Sequence, residues 1–185
     1  EGEIFWDHQN IAHLKVNERN MAMVAQNYAL YPHMTIFENI AFPLKNMGAS
    51  QEEIMHRVYQ ISEEFGISAC LSRKPRHLSS GQQQRVCLAR ALIKKPRLCL
   101  FDEPMSNLDE LTKGKMYDLI RSALKKRDIT TLYITHDINE AMQIADVIHI
   151  MNAGKIVFSG TPNDIIDSED PMIKKAFPNY DYRNL

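Results

Sequence analysis

Only seven glycines occur in the 185-residue chain, and none of them opens a G-x-x-x-x-G-K-[ST] run. That absence removes the backbone cradle and lysine with which many strand-and-helix proteins hold phosphates. Cysteine is scarce as well. Cys70, Cys87 and Cys99 are odd in number and form no C-x-x-C pair, which excludes a disulfide scaffold and fits reduced thiols in a cytosolic setting. Long apolar runs are missing: uninterrupted runs such as Leu98 to Phe101 are only a few residues, far short of a spanning helix, and the N-terminus has no signal-peptide pattern. Any membrane link must therefore come through a partner. Neither sign of charge dominates, since 22 basic and 23 acidic residues leave a net charge of -1, with no global attraction to nucleic acid or anionic lipid. What remains, 44% hydrophobic and 24% charged, is ordinary for one globular domain with a real core.

The pattern along the chain predicts an α/β fold. Residues 3 to 6 and 21 to 25 read as short strands with a polar connector between them. Thr35 with Glu38, and Ser50 with Glu53, are spaced for capping boxes at two helix starts. Ile54, Val58, Ile61 and Phe65 make one apolar helix face that ends at Gly66, and residues 82 to 94 read as a third helix closed by Pro96. From Leu98 onward strand and helix alternate: strand to Phe101, helix from about Leu108 to Lys126, strand Thr130 to Thr135, helix Ile138 to Ile144, strand Val147 to Met151. Such alternation implies right-handed βαβ units and a parallel sheet buried on both faces. Asn152-Ala153-Gly154 then turns into Lys155 to Ser159 as a hairpin, followed by a short helical tail.

Four fragments in fixed order carry chemistry. Asp102 and Glu103 end a buried strand, and ligands in open α/β sheets bind beyond the carboxyl ends of strands. Adjacent residues on a strand point to opposite sides, which lets two acids divide labour. Ser79-Ser80-Gly81-Gln82 precedes a helix, where unpaired amides and the helix dipole favour an anion, although the same four residues also make an ordinary N-cap. Thr135-His136-Asp137 delivers an imidazole at another strand end, with Asp137 placed to cap the next helix. The basic run Arg73 to His77, beside Pro75, reads as a solvated face rather than a nucleic-acid patch, and the remaining histidines show no paired metal-ligand spacing.

Leu78-Ser79-Ser80-Gly81-Gln82, followed by Gln84-Arg85 and by Leu98 to Asp109, resembles the ATP-binding-cassette (ABC) ATPases. The family signature Leu-Ser-Gly-Gly-Gln reads Leu-Ser-Ser-Gly-Gln here. Gln26 matches the family's Q-loop glutamine, Asp102 and Glu103 the end of its Walker B strand, Asp109 its D-loop and His136 its switch histidine. The resemblance covers nearly the whole chain. It implies a P-loop NTPase-like parallel sheet core with an α-helical subdomain, the helical part over about 35–95, the core over about 96–160 and a C-terminal helical tail over 161–185. The first strands and phosphate loop are missing from this picture. Because the chain begins with Glu1 and not Met, it reads as the later part of a longer polypeptide cut just past that loop.

The resemblance further implies ATP and Mg2+ as ligands, with Asp102 and Gln26 toward the metal, and Glu103 and His136 acting on the γ-phosphate and the attacking water. Ser79, Ser80, Gly81 and Gln82 would complete the ATP site of a second nucleotide-binding subunit facing this one. The implied partners are that subunit, transmembrane permease subunits and a solute-binding protein, with no nucleic acid, at the cytoplasmic face of the membrane. Residues Gln26 to Thr35 are most similar to importers of sugars and related polar solutes. Alone, without its phosphate loop, the chain is expected to hydrolyse ATP poorly. Two other readings stay open: an ABC-type ATPase acting on ribosomes or DNA without a membrane partner, and a non-catalytic remnant. At Ser80 two conformations stay open too, a left-handed one that would strain serine and a helical one that would not.

Overall fold

The structure, a computed structural model, describes residues 2–16, 18–171 and 173. Its centre is a parallel sheet in the order β3 (Met21–Val24), β4 (Leu98–Asp102), β5 (Thr130–Ile134). Ahead of it stands a two-residue hairpin of β1 (Phe5–Trp6) and β2 (Gln9–Asn10). Residues 3 to 6 thus shorten to Phe5–Trp6, and the polar connector holds a strand that the sequence did not announce. The turn is made by Asp7 and His8 at φ +46° and +63°, so a left-handed turn forms without the Asn-Gly or Asp-Gly pair that normally marks one.

Between β3 and β4 lie α1 (Ile36–Asn46), α2 (Gln51–Glu64) and α3 (Ser80–Leu92), with single 3-10 turns at Ser68–Cys70 and Pro75–His77. Thr35 closes its capping box with Glu38 as the sequence predicts. Ser50 accepts from the Glu53 amide, but Glu53 spends its carboxylate on Arg57 at 3.0 Å instead of returning to the cap. Helix α3 starts two residues earlier than expected, because Ser79 and Gln82 form a full capping box. Ile36, Ile40 and Leu44 of α1, Ile54, Val58 and Ile61 of α2, and Val86, Leu88 and Leu92 of α3 are buried together. Each contributes on the order of 1.5–3 kcal/mol by leaving water.

Helix α4 (Glu110–Arg127) joins β4 to β5 and α5 (Ile138–Ile144) follows β5. The sheet expected to be covered on both faces is covered on one. Val24, Cys99 and Phe101 are buried, whereas Met23, Leu132 and Ile134, on the opposite side of the pleat, are 52–54% exposed. Strand β6 (Ile148–Asn152) does not extend this sheet either. It pairs antiparallel with β7 (Lys155–Gly160) through a turn at Ala153 and Gly154, φ +47° and +76°, the hairpin that the sequence predicts. Helix α6 (Pro162–Ile166) packs Ile165 beside Ile148. The rest of the helical tail foreseen to 185 lies largely outside the described residues. Among the described residues no helix is long and apolar enough to cross a membrane.

Candidate functional site

Three parallel strands end side by side, and each releases one polar side chain just past its last residue. Val24 pairs with Phe101 and Asp102 with Ile134, so Gln26, Glu103 and His136 emerge along one edge of the sheet. The Glu103 amide donates to the Ile134 carbonyl at 2.9 Å, which extends the β4–β5 pairing by one step. Glu103 then turns out of the strand at φ +44°, a strained backbone for a side chain of this size and of the sort that clusters at reaction centres. The Ser106 hydroxyl donates to the Glu103 carbonyl at 3.0 Å, and fully buried Met105 pins the turn to the core.

The Glu103 carboxylate is held on both oxygens. Gln26 Nε2 donates to Oε2 at 3.3 Å, and His136 Nδ1 lies 3.1 Å from Oε1. Asn107 Nδ2 donates to the Gln26 carbonyl at 3.1 Å, tying the loop after β3 to the turn after β4. That loop is clamped. Arg90 of α3 donates to the carbonyls of Ala29 and Tyr28 at 2.7 and 2.9 Å, and Asn39 exchanges hydrogen bonds with the backbone of Tyr31.

The remaining foreseen residues stand apart from this trio. Asp102, half-buried, points with Leu100 toward the exposed side of the sheet, and its carboxylate makes no hydrogen bond or ion pair among the described residues. Ser79 caps α3, and Ser80 is its first helical residue with no positive φ, which decides for the unstrained conformation. No hydrogen bond joins Ser79–Gln82 to the trio among the described residues. They lie instead against α4: a Cβ at Gly81 would come within 3.0 Å of Thr112 Cγ2, and Thr112 is the residue whose amide and hydroxyl bond to Asp109. Those bonds hold the Asp109 carboxyl below its ordinary pKa.

A second polar cluster underlies the histidine, and the sequence reading did not include it. Glu140 of α5 is buried, and one of its oxygens accepts from the hydroxyls of Thr135 at 2.8 Å and Tyr133 at 3.1 Å. Lys113 of α4, itself 12% exposed, reaches Glu110 at 3.1 Å, Asp137 at 3.4 Å and Glu140 at 3.7 Å. Burial works against the Lys113 charge, but hydrogen bonds and charge from Glu110 and Asp137 carry its pKa above the ordinary value. Burial, reinforced by Glu140, raises Tyr133 strongly and pushes Tyr117 up to about 12. Between the cluster and Glu103 lies a pocket of about 80 Å³, with room for waters but not for a nucleotide. The signal that was present is an acid in a helix whose neighbours, Ile138, Ala141 and Ile144, are apolar.

Comparison with known proteins adds the family context. The family described as "ABC transporter" matches residues 1–106. The chain is similar to the Fe(3+) ions import ATP-binding protein FbpC of Escherichia coli O157:H7, 44% identical over 165 residues, or 89% of this chain and 47% of that protein. It is also similar to the trehalose/maltose import ATP-binding protein MalK of Thermococcus litoralis, 46% identical over 150 residues, 81% of this chain and 40% of the other. With the sn-glycerol-3-phosphate import ATP-binding protein UgpC of Chromobacterium violaceum it shares 42% identity over 185 residues, all of this chain and 50% of the other. The chain spans about half the length of the curated relatives that it matches.

Proposed function

The chain belongs to the ABC transporter family, and on that premise we propose that it is part of the ATP-hydrolysing subunit of an importer. The observation that carries this reading is the Glu103 carboxylate, gripped by Gln26 and His136 where three parallel strands end. A carboxylate fixed on both oxygens is a general base for a water that attacks a phosphoryl group. With Nδ1 facing Glu103, His136 leaves Nε2 open on its exposed side, so one ring can link the base to the bound ligand and its water. His136 is 75% exposed on its side chain, as a group that meets a ligand must be.

For Mg2+, Asp102 offers a carboxylate with no hydrogen bond or ion pair among the described residues, and Mg2+ is commonly held by one or two carboxylates plus substrate phosphates. Asp102, uncommitted at the strand end, and Gln26 are the residues that would hold it, and its charge would offset that of the phosphates. Ser79 to Gln82 and Asp109, adjacent through Gly81 and Thr112, form the edge proposed to meet the ATP of a second nucleotide-binding subunit.

The names of the relatives point to ions and polar solutes, and for this chain we propose a sugar or similar polar solute. The permease would be supplied by separate transmembrane subunits, with a solute-binding protein outside and this subunit peripheral at the cytoplasmic face. Turnover of Mg-ATP is measured on the 185-residue chain and on a version extended into upstream coding sequence. The extended protein is expected to hydrolyse ATP and the short one poorly. Glu103→Gln should lower kcat by roughly 10²–10⁴-fold. Full turnover in that variant overturns the assignment.

A further inference from the structure

We infer that Glu140, together with Lys113, is a positioning device that fixes the placement of His136 by tying its turn to β5 and α4. The inference rests on the function proposed above. Among the described residues His136 makes one side-chain hydrogen bond, to Glu103, and its side chain is 75% exposed, so the ring goes where its backbone puts it. That backbone is braced from beneath. The Thr135 hydroxyl donates to Glu140 at 2.8 Å and accepts from the Asp137 amide at 3.0 Å, so one oxygen ties the residues on both sides of His136.

Glu140 is not free to follow the loop. It is buried in α5 and also accepts from Tyr133 Oη inside β5, which references the His136 turn to the sheet. Lys113 connects the same point to α4, since its ammonium lies among Glu110, Asp137 and Glu140. It sits one helical turn past Asp109, which accepts from the Thr112 amide and hydroxyl at the start of α4. Glu140 and Lys113, both largely buried, are a costly way to fill this space, since an apolar pair of similar volume is often as stable. The bond from Thr135 to Glu140 accounts for the expense.

The test uses the full polypeptide carrying these residues, with kcat and KM for Mg-ATP and the ring resonances of isotope-labelled His136 as separate readouts. Glu140→Ala and Thr135→Val are expected to lower kcat by roughly 10-fold or more with KM within about twofold, since neither residue touches the nucleotide. Glu140→Gln keeps an oxygen for both hydroxyls and should lose less than about threefold. Combining Lys113→Met with Glu140→Ala should cost no more than Glu140→Ala alone, because both act through one point. The His136 ring resonance should move in the Ala and Val variants and stay near wild type in the Gln variant. If kcat stays within about twofold in both Glu140→Ala and Thr135→Val, or falls only with the folded fraction while the ring is unmoved, the positioning role is wrong. If the wild type does not hydrolyse ATP, the proposed function fails, and the ring decides alone: moved in both variants, the device stands, and unmoved, it falls.

Discussion

Arg127, the last residue of α4, and Glu64, the last of α2, offer the sharpest test of how the helices between β3 and β4 are fastened to the sheet layer. Arg127 Nη1 and Nη2 donate to the two Glu64 oxygens at 2.8 and 2.7 Å, and the side chains are 16% and 21% exposed. A charge-assisted bidentate pair is worth about 1.5–3 kcal/mol, and partial exposure brings that toward the lower end. Glu64→Gln keeps the shape and removes the charge, so a loss of about 1–2 kcal/mol is expected at pH 7, or roughly 2–8 °C in Tm for a chain of this size. Arg127→Met should cost more, because Arg127 also donates to the Ala123 carbonyl at the negative end of the helix dipole.

The pH dependence fixes the sign. The Arg127 hydrogen bonds, opposed by burial and helped by charge from Arg127 and Lys126, hold the Glu64 carboxyl below its ordinary pKa. Its contribution is therefore complete above the unfolded value of about 4.3 and is lost as pH falls through the lower folded value. Urea unfolding of wild type and Glu64→Gln from pH 7 to 3.5 should show the difference between them shrinking toward the acid end. A difference under about 0.3 kcal/mol at pH 7, or one that is unchanged at pH 3.5, would refute the reasoning.

Thr35→Ala removes the hydroxyl half of the box at the start of α1, leaving the residue 35 amide on Glu38, and should destabilise by about 1 kcal/mol in urea melts. Gly66 sits at φ +63° with Arg85 Nη1 3.1 Å from where a Cβ would lie, so Gly66→Ala should cost about 1–2 kcal/mol by the same assay. Cys70, Cys87 and Cys99 are buried thiols, with Cys99 pushed up to about 12 by burial. A thiol reagent at pH 8 should label none of them until denaturant is added, and fast labelling of the native chain would contradict the packing.

How much the sequence disclosed depended on whether the signal was local. Helix α5 falls where Asp137, Ile138 and Ile144 mark it, because a cap and its apolar neighbours lie within one stretch of chain. The start of α3 was misjudged by two residues although Ser79-x-x-Gln82 spells the box, since small polar residues read equally well as loop. The hairpin β1–β2 went unseen because its left-handed turn uses Asp7 and His8. Glu103 and His136 are marked by their strand ends and Gln26 by family pattern, but their meeting is not legible in the chain, as their contacts span 77 and 33 residues. Glu140 escaped because its apolar helix neighbours hint at burial but do not say which hydroxyls, those of Thr135 and Tyr133, would draw it under a strand end. The exposed sheet side escaped for a related reason: an apolar strand has the same sequence whether or not anything lies on it.

That exposed side has a colloidal consequence. Met23 and Leu132 stand in register on either side of half-buried Leu100, with Ile134 one step along β5, so water meets an apolar strip three strands wide. Monomeric proteins rarely tolerate such a strip uncovered, and two of them meeting face to face would each hide theirs. The chain by itself is therefore expected to be a sticky species in dilute buffer. It should bind a dye such as ANS, clump as concentration or sulfate rises, and disperse in mild detergent. The strands that lead to Gln26, Glu103 and His136 thus also carry the surface that governs whether the chain stays in solution.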